Sequence, residues 1–254
     1  MKILGLDSSG LVAGVAVAED GILLAEYNVN YKKTHSQTLL PMLDELRKML
    51  ELDMSTIDAI AVASGPGSFT GLRIGSATAK GLGLALEKPL VEVPTLEGLA
   101  YNLFGTGDLI CPLIDARRNQ VYTGIYEFSG MELCVSEPQA AVDISIIISR
   151  LNQLGAEQPG RGVIFLGDGV PVYQNRLQER IRIPFRFAPA SCSRQRAGSI
   201  AALGQVYYAA GRTVSAAEHR PEYLRKSQAE RELAQKEAAS ESEAAGLGET
   251  ERES

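Results

Sequence analysis

Gly65, Gly67 and Gly71 punctuate the segment 63–75, ASGPGSFTGLRIG, which follows an apolar stretch and opens a helix rich in small residues. A glycine-rich turn at a helix N-terminus has two uses. Its free N–H groups can hold an anion. Its missing side chains can instead let another backbone come close. The spacing fails both common nucleotide patterns. A Walker A loop requires Gly-Lys-Ser/Thr, whereas Gly71 is followed by Leu72 and Arg73, and no lysine comes before Lys80. A dinucleotide fingerprint requires G-x-G-x-x-G; Gly65 and Gly67 fit, but Thr70 holds the third position and Gly71 is one residue late.

Two acids offer a different nucleotide chemistry. Asp7 ends an apolar strand and precedes Ser8-Ser9-Gly10; Asp115 does the same before Ala116-Arg117-Arg118. Paired acids at strand-turn positions can hold magnesium through water while turn amides meet the phosphates of ATP. Asp7, Ser8 and Asp115 are therefore candidate nucleotide-binding residues, and Gly167-Asp168-Gly169 is a candidate adenosine-side loop. Equally, each acid can cap its own turn by bonding local amides. Arg117 and Arg118 are adjacent guanidinium groups after a strand, suited to an anion or a partner, or to a solvated hairpin end.

Metal chemistry finds little material. His35 and His219 are the only histidines, and no H-x-x-x-H, H-E-x-x-H or C-x-x-C occurs. His35 next to Ser36 lacks a nucleophile elbow and belongs to a helix cap region. The three cysteines, Cys111, Cys134 and Cys192, are odd in number and far apart, which predicts a reduced cytoplasmic setting. The chain starts on a strand and has no apolar run of ~18 residues, which predicts neither export nor membrane spanning. Its formal net charge of −6 arises largely at the end, where 229–254 carries eight acids against three bases. The remainder has no basic stripe of the kind that binds nucleic acid unaided.

These residues need elements to position them. Apolar strands are predicted at 2–7, 12–19 and 22–30, the last two joined by the hairpin signal Asp20-Gly21. A helix capped by Ser36 carries Leu39, Leu43, Leu46 and Leu50 on one face, with Pro41 near its first turn. A strand at 57–63, the glycine turn, a helix at 72–86, a strand at 90–93 and a short helix at 95–103 complete the unit. The pattern then restarts, with LICPLIDARRNQ, VYTGIYEF, a helix at 144–154, the strand VIFLGDG and a helix at 197–211. Two meander-plus-helix units predict an α/β fold of two related lobes, the bilobal actin-like ATPase (ASKHA) architecture. The lobes are expected at 1–105 and 106–228, with an acidic, disordered tail at 229–254.

The helix after the glycine turn carries a second signal. Gly71, Gly75 and Ala79 lie four apart, as do Ala77, Gly81 and Ala85. Such spacing stacks small residues on one face, where another helix can pack closely. On this ground the glycines are expected to serve a subunit interface rather than a phosphate.

DSSG, HSQTLLPML, ASGPGSFTGLRIG, PTLEGLAYN, DARRNQVYTGIYEF and PEYLRKSQAERE occur in that order. Together they closely resemble the bacterial TsaB family, also called YeaZ, across most of 1–232 apart from 142–161; the acidic tail is outside the resemblance. The resemblance implies a non-catalytic, actin-like subunit. It would pair with the catalytic subunit TsaD and act with the ATPase TsaE to make N6-threonylcarbamoyladenosine beside the anticodon of tRNA. Contact with tRNA would come through the complex, and the same helix face could serve a homodimer. The helices starting near Ser36 and Thr70 would form the pairing bundle, with Leu39, Leu43, Leu46, Gly71, Arg73, Gly75 and Ala79 at the interface. TsaD carries its metal on an H-x-x-x-H helix, and Thr95 and Leu99 stand at those two places here, where neither can ligate. The competing expectation is a stand-alone enzyme that binds ATP and magnesium through Asp7 and Asp115.

Overall fold

The computed structural model describes residues 1–31 and 34–225, so the expected tail at 229–254 lies outside the described residues. Residues 1–222 form one compact unit. Its first sheet contains β1 (Lys2–Asp7), β2 (Ala13–Glu19), β3 (Ile22–Val29), β4 (Ala59–Gly65) and β5 (Leu90–Pro94), in the order β3-β2-β1-β4-β5. Its second contains β6 (Leu109–Arg117), β7 (Gln120–Ser129), β8 (Glu132–Asp143), β9 (Val163–Leu166) and β10 (Phe185–Phe187), in the order β8-β7-β6-β9-β10.

The two orders are the same order. β1 pairs antiparallel with β2 and parallel with β4; β6 pairs antiparallel with β7 and parallel with β9. The helices repeat as well. α1 (His35–Met49) precedes β4 as α4 (Ile144–Glu157) precedes β9, and α2 (Phe69–Leu86) follows β4 as α5 (Val170–Arg180) follows β9. This is the duplicated meander of the bilobal actin-like fold.

Central strands are buried on both faces, so they read as unbroken apolar runs rather than alternations. β4, AIAVASG, is buried along its whole length. One face of the first sheet packs Leu4, Leu6, Val15, Val17, Ile60 and Val62 against Leu39, Leu43 and Leu46 of α1 and Ala79 of α2. Each fully buried leucine contributes roughly 1.5–3 kcal/mol. The other face receives α6 (Ala197–Ala209). Small residues make that contact possible: a side chain at Gly204 would strike the Ala61 side chain, and one at Gly5 would strike Ala197 and Ala201. Chain order assigns 197–209 to the second lobe, but in space this helix lies on the first sheet.

The second sheet packs Leu113, Val121, Ile125 and Phe165 beneath α4 and α5. The short α3 (Thr95–Tyr101) presses Leu96 and Leu99 onto Ile110, Ile114 and Tyr126 on the other face. Beyond α6 the chain returns to the edge of β5. Leu90 and Val214 exchange backbone hydrogen bonds, His219 Nδ1 sits 2.6 Å from Glu92 Oε1, and Glu222 N–H donates to Ser64 O at 2.7 Å. The start of the PEYLRK segment therefore docks along the sheet.

Three features escaped the sequence. β8 is a half-buried edge strand with no clean alternation. α5 is mostly polar, begins with Pro171 in its first turn and buries only Val170, Tyr173 and Leu177. α1 begins at His35 after Thr34, so Ser36 lies inside its first turn instead of capping it.

Candidate functional site

The first hairpin turn, Asp7 to Gly10, is filled by its own chain. The Asp7 carboxylate is almost fully buried and accepts hydrogen bonds from Ser9 N–H at 2.8 Å and Ser9 Oγ–H at 2.6 Å. Burial, only partly offset by these bonds, pushes its pKa up to about 6. Ser8 Oγ–H donates to Gly71 O at 2.8 Å, and Ser68 N–H donates to Ser9 O at 2.7 Å. His35 Nε2 lies 2.7 Å from Gly10 O, tying the start of α1 to the same turn.

The glycines of 63–75 are what let this happen. A Cβ at Gly67 would strike Ser9 O, and one at Gly71 would strike Ser8 O. One at Gly75 would press on Ser8 Oγ at 2.6 Å. Gly65 has φ +123°, which a side chain rarely adopts. The turn thus meets the backbone of Ser8 and Ser9. Ser68 caps α2 through Gly71 N–H at 3.3 Å, so the helix starts at Phe69, three residues before the predicted start.

The residues expected at the interface fall into two sets. Gly71, Gly75 and Ala79 are buried against the subunit's own hairpin and core, as are Leu39, Leu43 and Leu46. Arg73 stays exposed, its guanidinium 4.1 Å from the centre of the Phe69 ring. The other small stripe, Ala77, Gly81 and Ala85, faces outward beside Leu84, which is 65% exposed; nothing lies within 4 Å of a Cβ built on Gly81. On α1, Leu40 is 53% exposed.

The second hairpin turn, Asp115 to Asn119, is built differently. Asp115 is only half-buried; its Oδ1 accepts from Arg117 N–H at 2.9 Å and from the Tyr173 hydroxyl at 3.3 Å, while its own N–H donates to Asp168 Oδ1 at 3.2 Å. Asp168 has its pKa raised by burial. Gly167, with φ +102°, and Gly169 lie against the Leu113 carbonyl, so the GDG segment closes a turn beside β6. Cys111 is a buried small hydrophobe whose thiol is pushed up to about 12 by desolvation. Thr95 and Leu99 are buried residues of α3 itself. Among the described residues no three His, Cys, Asp or Glu side chains gather as a metal site.

The family model that matches residues 23–233 is TsaD, tRNA N6-adenosine threonylcarbamoyltransferase. The tRNA threonylcarbamoyladenosine biosynthesis protein TsaB of Bacillus subtilis is 32% identical over 230 residues, covering 91% of this chain and 96% of that protein. The chain belongs to the TsaB family. Its Haemophilus influenzae relative of the same description is 28% identical, covering 89% of this chain and 94% of the relative. The crystal structure of YeaZ from Pseudomonas aeruginosa superposes with a TM-score of 0.73 at 27% identity, covering 88% of this chain and 99% of that one. TsaB membership, the closed first hairpin and the outward stripe of α2 describe one molecule whose glycine turn is structural.

Proposed function

We propose that the chain is the non-catalytic pairing subunit of the complex that forms N6-threonylcarbamoyladenosine in tRNA, binding a TsaD-type catalytic subunit and working with a TsaE-type ATPase. Family membership supports the pathway. The observation that carries the pairing role is the outer face of α1 and α2, where Leu40, Ala77, Gly81, Leu84 and Ala85 are exposed and Gly81 leaves open space for a close helix. Small residues on one side and leucines on the other suit a helix-on-helix contact. The same face would serve a homodimer when the chain is alone. All three cysteines are free thiols, and no described helix is long and apolar enough to cross a membrane, which supports a cytoplasmic setting.

Copurification of the full chain with its TsaD-type partner tests this reading. A stable complex at micromolar concentration is expected. Gly81→Arg is expected to abolish that complex while leaving the melting temperature of the subunit unchanged. No complex with the wild-type chain would sink the reading.

A further inference from the structure

The closed first hairpin leaves its counterpart in the second lobe to be explained. Arg117, Arg118 and Asn119 take φ values of 63°, 55° and 61°, three successive non-glycine residues in the left-handed region. Such a conformation is strained for a residue with a side chain, and the strain persists where the surroundings over-determine it. The surroundings do so here. Asp115 accepts from Arg117 N–H, Asn119 O accepts from the first N–H of α4 at 3.3 Å, and Arg176 donates to Asn119 Oδ1 at 3.3 Å. The turn is held in a form that glycine would adopt without strain, yet it carries two arginines.

Those arginines line an open cavity of about 390 Å³ between the hairpin and α5, completed by Arg176, Asn119, Tyr173 and Asp115. All three guanidinium groups are exposed, and none is in an ion pair among the described residues. Asp115, the acid in the cavity wall, already accepts from Arg117 N–H and the Tyr173 hydroxyl. Asp143 lies close enough to Arg176 and Arg180 for both charges to lower its pKa, after the larger effect of Ser145 N–H. Among the lining residues three arginines face one aspartate, so the lining is net positive.

From this we infer that the pocket between the β6–β7 turn and α5 is a phosphate-binding site that takes the sugar-phosphate backbone of RNA. Guanidinium forks match phosphate oxygens in a bidentate manner and stack on bases. The cavity exceeds one phosphate and opens to solvent, which suits a strand passing over it. The RNA assignment rests on the tRNA-modifying role of the family but not on pairing: it gives this subunit a direct hold on RNA, and loss of the TsaD contact would leave it intact.

The test is fluorescence anisotropy of the full chain with a labelled tRNA anticodon stem-loop, over a salt series. Binding tighter than about 10⁻⁴ M near 100 mM salt is expected, weakening as salt rises. Arg118→Ala and Arg176→Ala are each expected to weaken it about tenfold and to lower the log–log salt slope by roughly 0.7–0.9. Arg118→Lys should recover part of the affinity but not all, because lysine keeps charge without the fork. Arg186→Glu, at the far edge of the second sheet, should leave more of the affinity than Arg118→Glu. Melting curves confirm that each variant is folded. Absence of binding by the wild-type chain overturns the inference, as does binding that Arg118→Glu and Arg176→Glu leave unchanged. Displacement of the RNA by equimolar ATP or inorganic phosphate assigns the pocket to a small phosphate ligand and overturns the RNA assignment.

Discussion

The two hairpin turns occupy equivalent places in a duplicated fold and have opposite fates. At the end of β1, Asp7 is buried, and Ser8 and Ser9 turn their carbonyls into a glycine-rich segment that closes on them. At the end of β6, Asp115 is half-exposed and the turn beyond it holds arginines over an open cavity. The helices after β4 and β9 differ accordingly. α2 brings Gly71 and Gly75 to its hairpin, where only a hydrogen atom fits, whereas α5 brings Tyr173 and Arg176. Duplication preserved the strand order and the aspartate. Side-chain volume at the facing helix decided whether the turn was sealed or left accessible.

Substitutions can break this contrast. The largest effect is expected at Gly71. Gly71→Leu would drive a side chain into the Ser8 carbonyl, and a loss of about 3 kcal/mol or more is expected in denaturant unfolding. Gly81→Leu, on the outward stripe of the same helix, should stay within about 1 kcal/mol of wild type or gain stability, since leucine is the better helix former. Equal losses at the two sites would refute the assignment of the two faces.

Asp7 comes next. Its folded pKa of about 6 lies above the ordinary 3.8, so the folded state holds the proton more tightly. The stabilising contribution of the protonated form is complete below about pH 4 and is lost as pH rises through about 6. Asp7→Asn, which keeps an acceptor for Ser9, is expected to stabilise the protein at pH 7.5 by about 1–3 kcal/mol, with the difference fading near pH 4. Thermal unfolding of both proteins at the two pH values checks this. A destabilised Asp7→Asn variant at pH 7.5 would mean that the carboxylate is more than a turn cap.

Arg118→Gly should produce the smallest change in stability and the sharpest contrast. It relieves left-handed strain and is expected to leave stability unchanged or to raise it by up to about 1 kcal/mol, while weakening anion binding. A clear loss of stability on this change would show that the arginine is held for structural reasons.

Much of this was legible from residue order. Apolar runs at β1, β4 and β6, the Asp20-Gly21 hairpin with Asp20 at φ 50° and Gly21 at φ 80°, and the restarting pattern after residue 108 all carried over. α5 was not read, because only Val170, Tyr173 and Leu177 mark its buried face. With α5 unread, the pocket over Arg117 and Arg118 had no second wall. The position of α6 on the first sheet was equally hidden, since chain order says nothing about a return across the fold.

The sequence by itself determined the duplicated α/β plan, the family motifs and the presence of two small-residue stripes on one helix. Gly71, Gly75 and Ala79 are spaced as Ala77, Gly81 and Ala85 are, and helical periodicity cannot distinguish them. Only the tertiary structure decided which stripe meets the Ser8-Ser9 turn and which faces outward. The reason is geometric: spacing fixes which residues share a face, but the neighbour that covers that face comes from a turn more than 60 residues away in the chain.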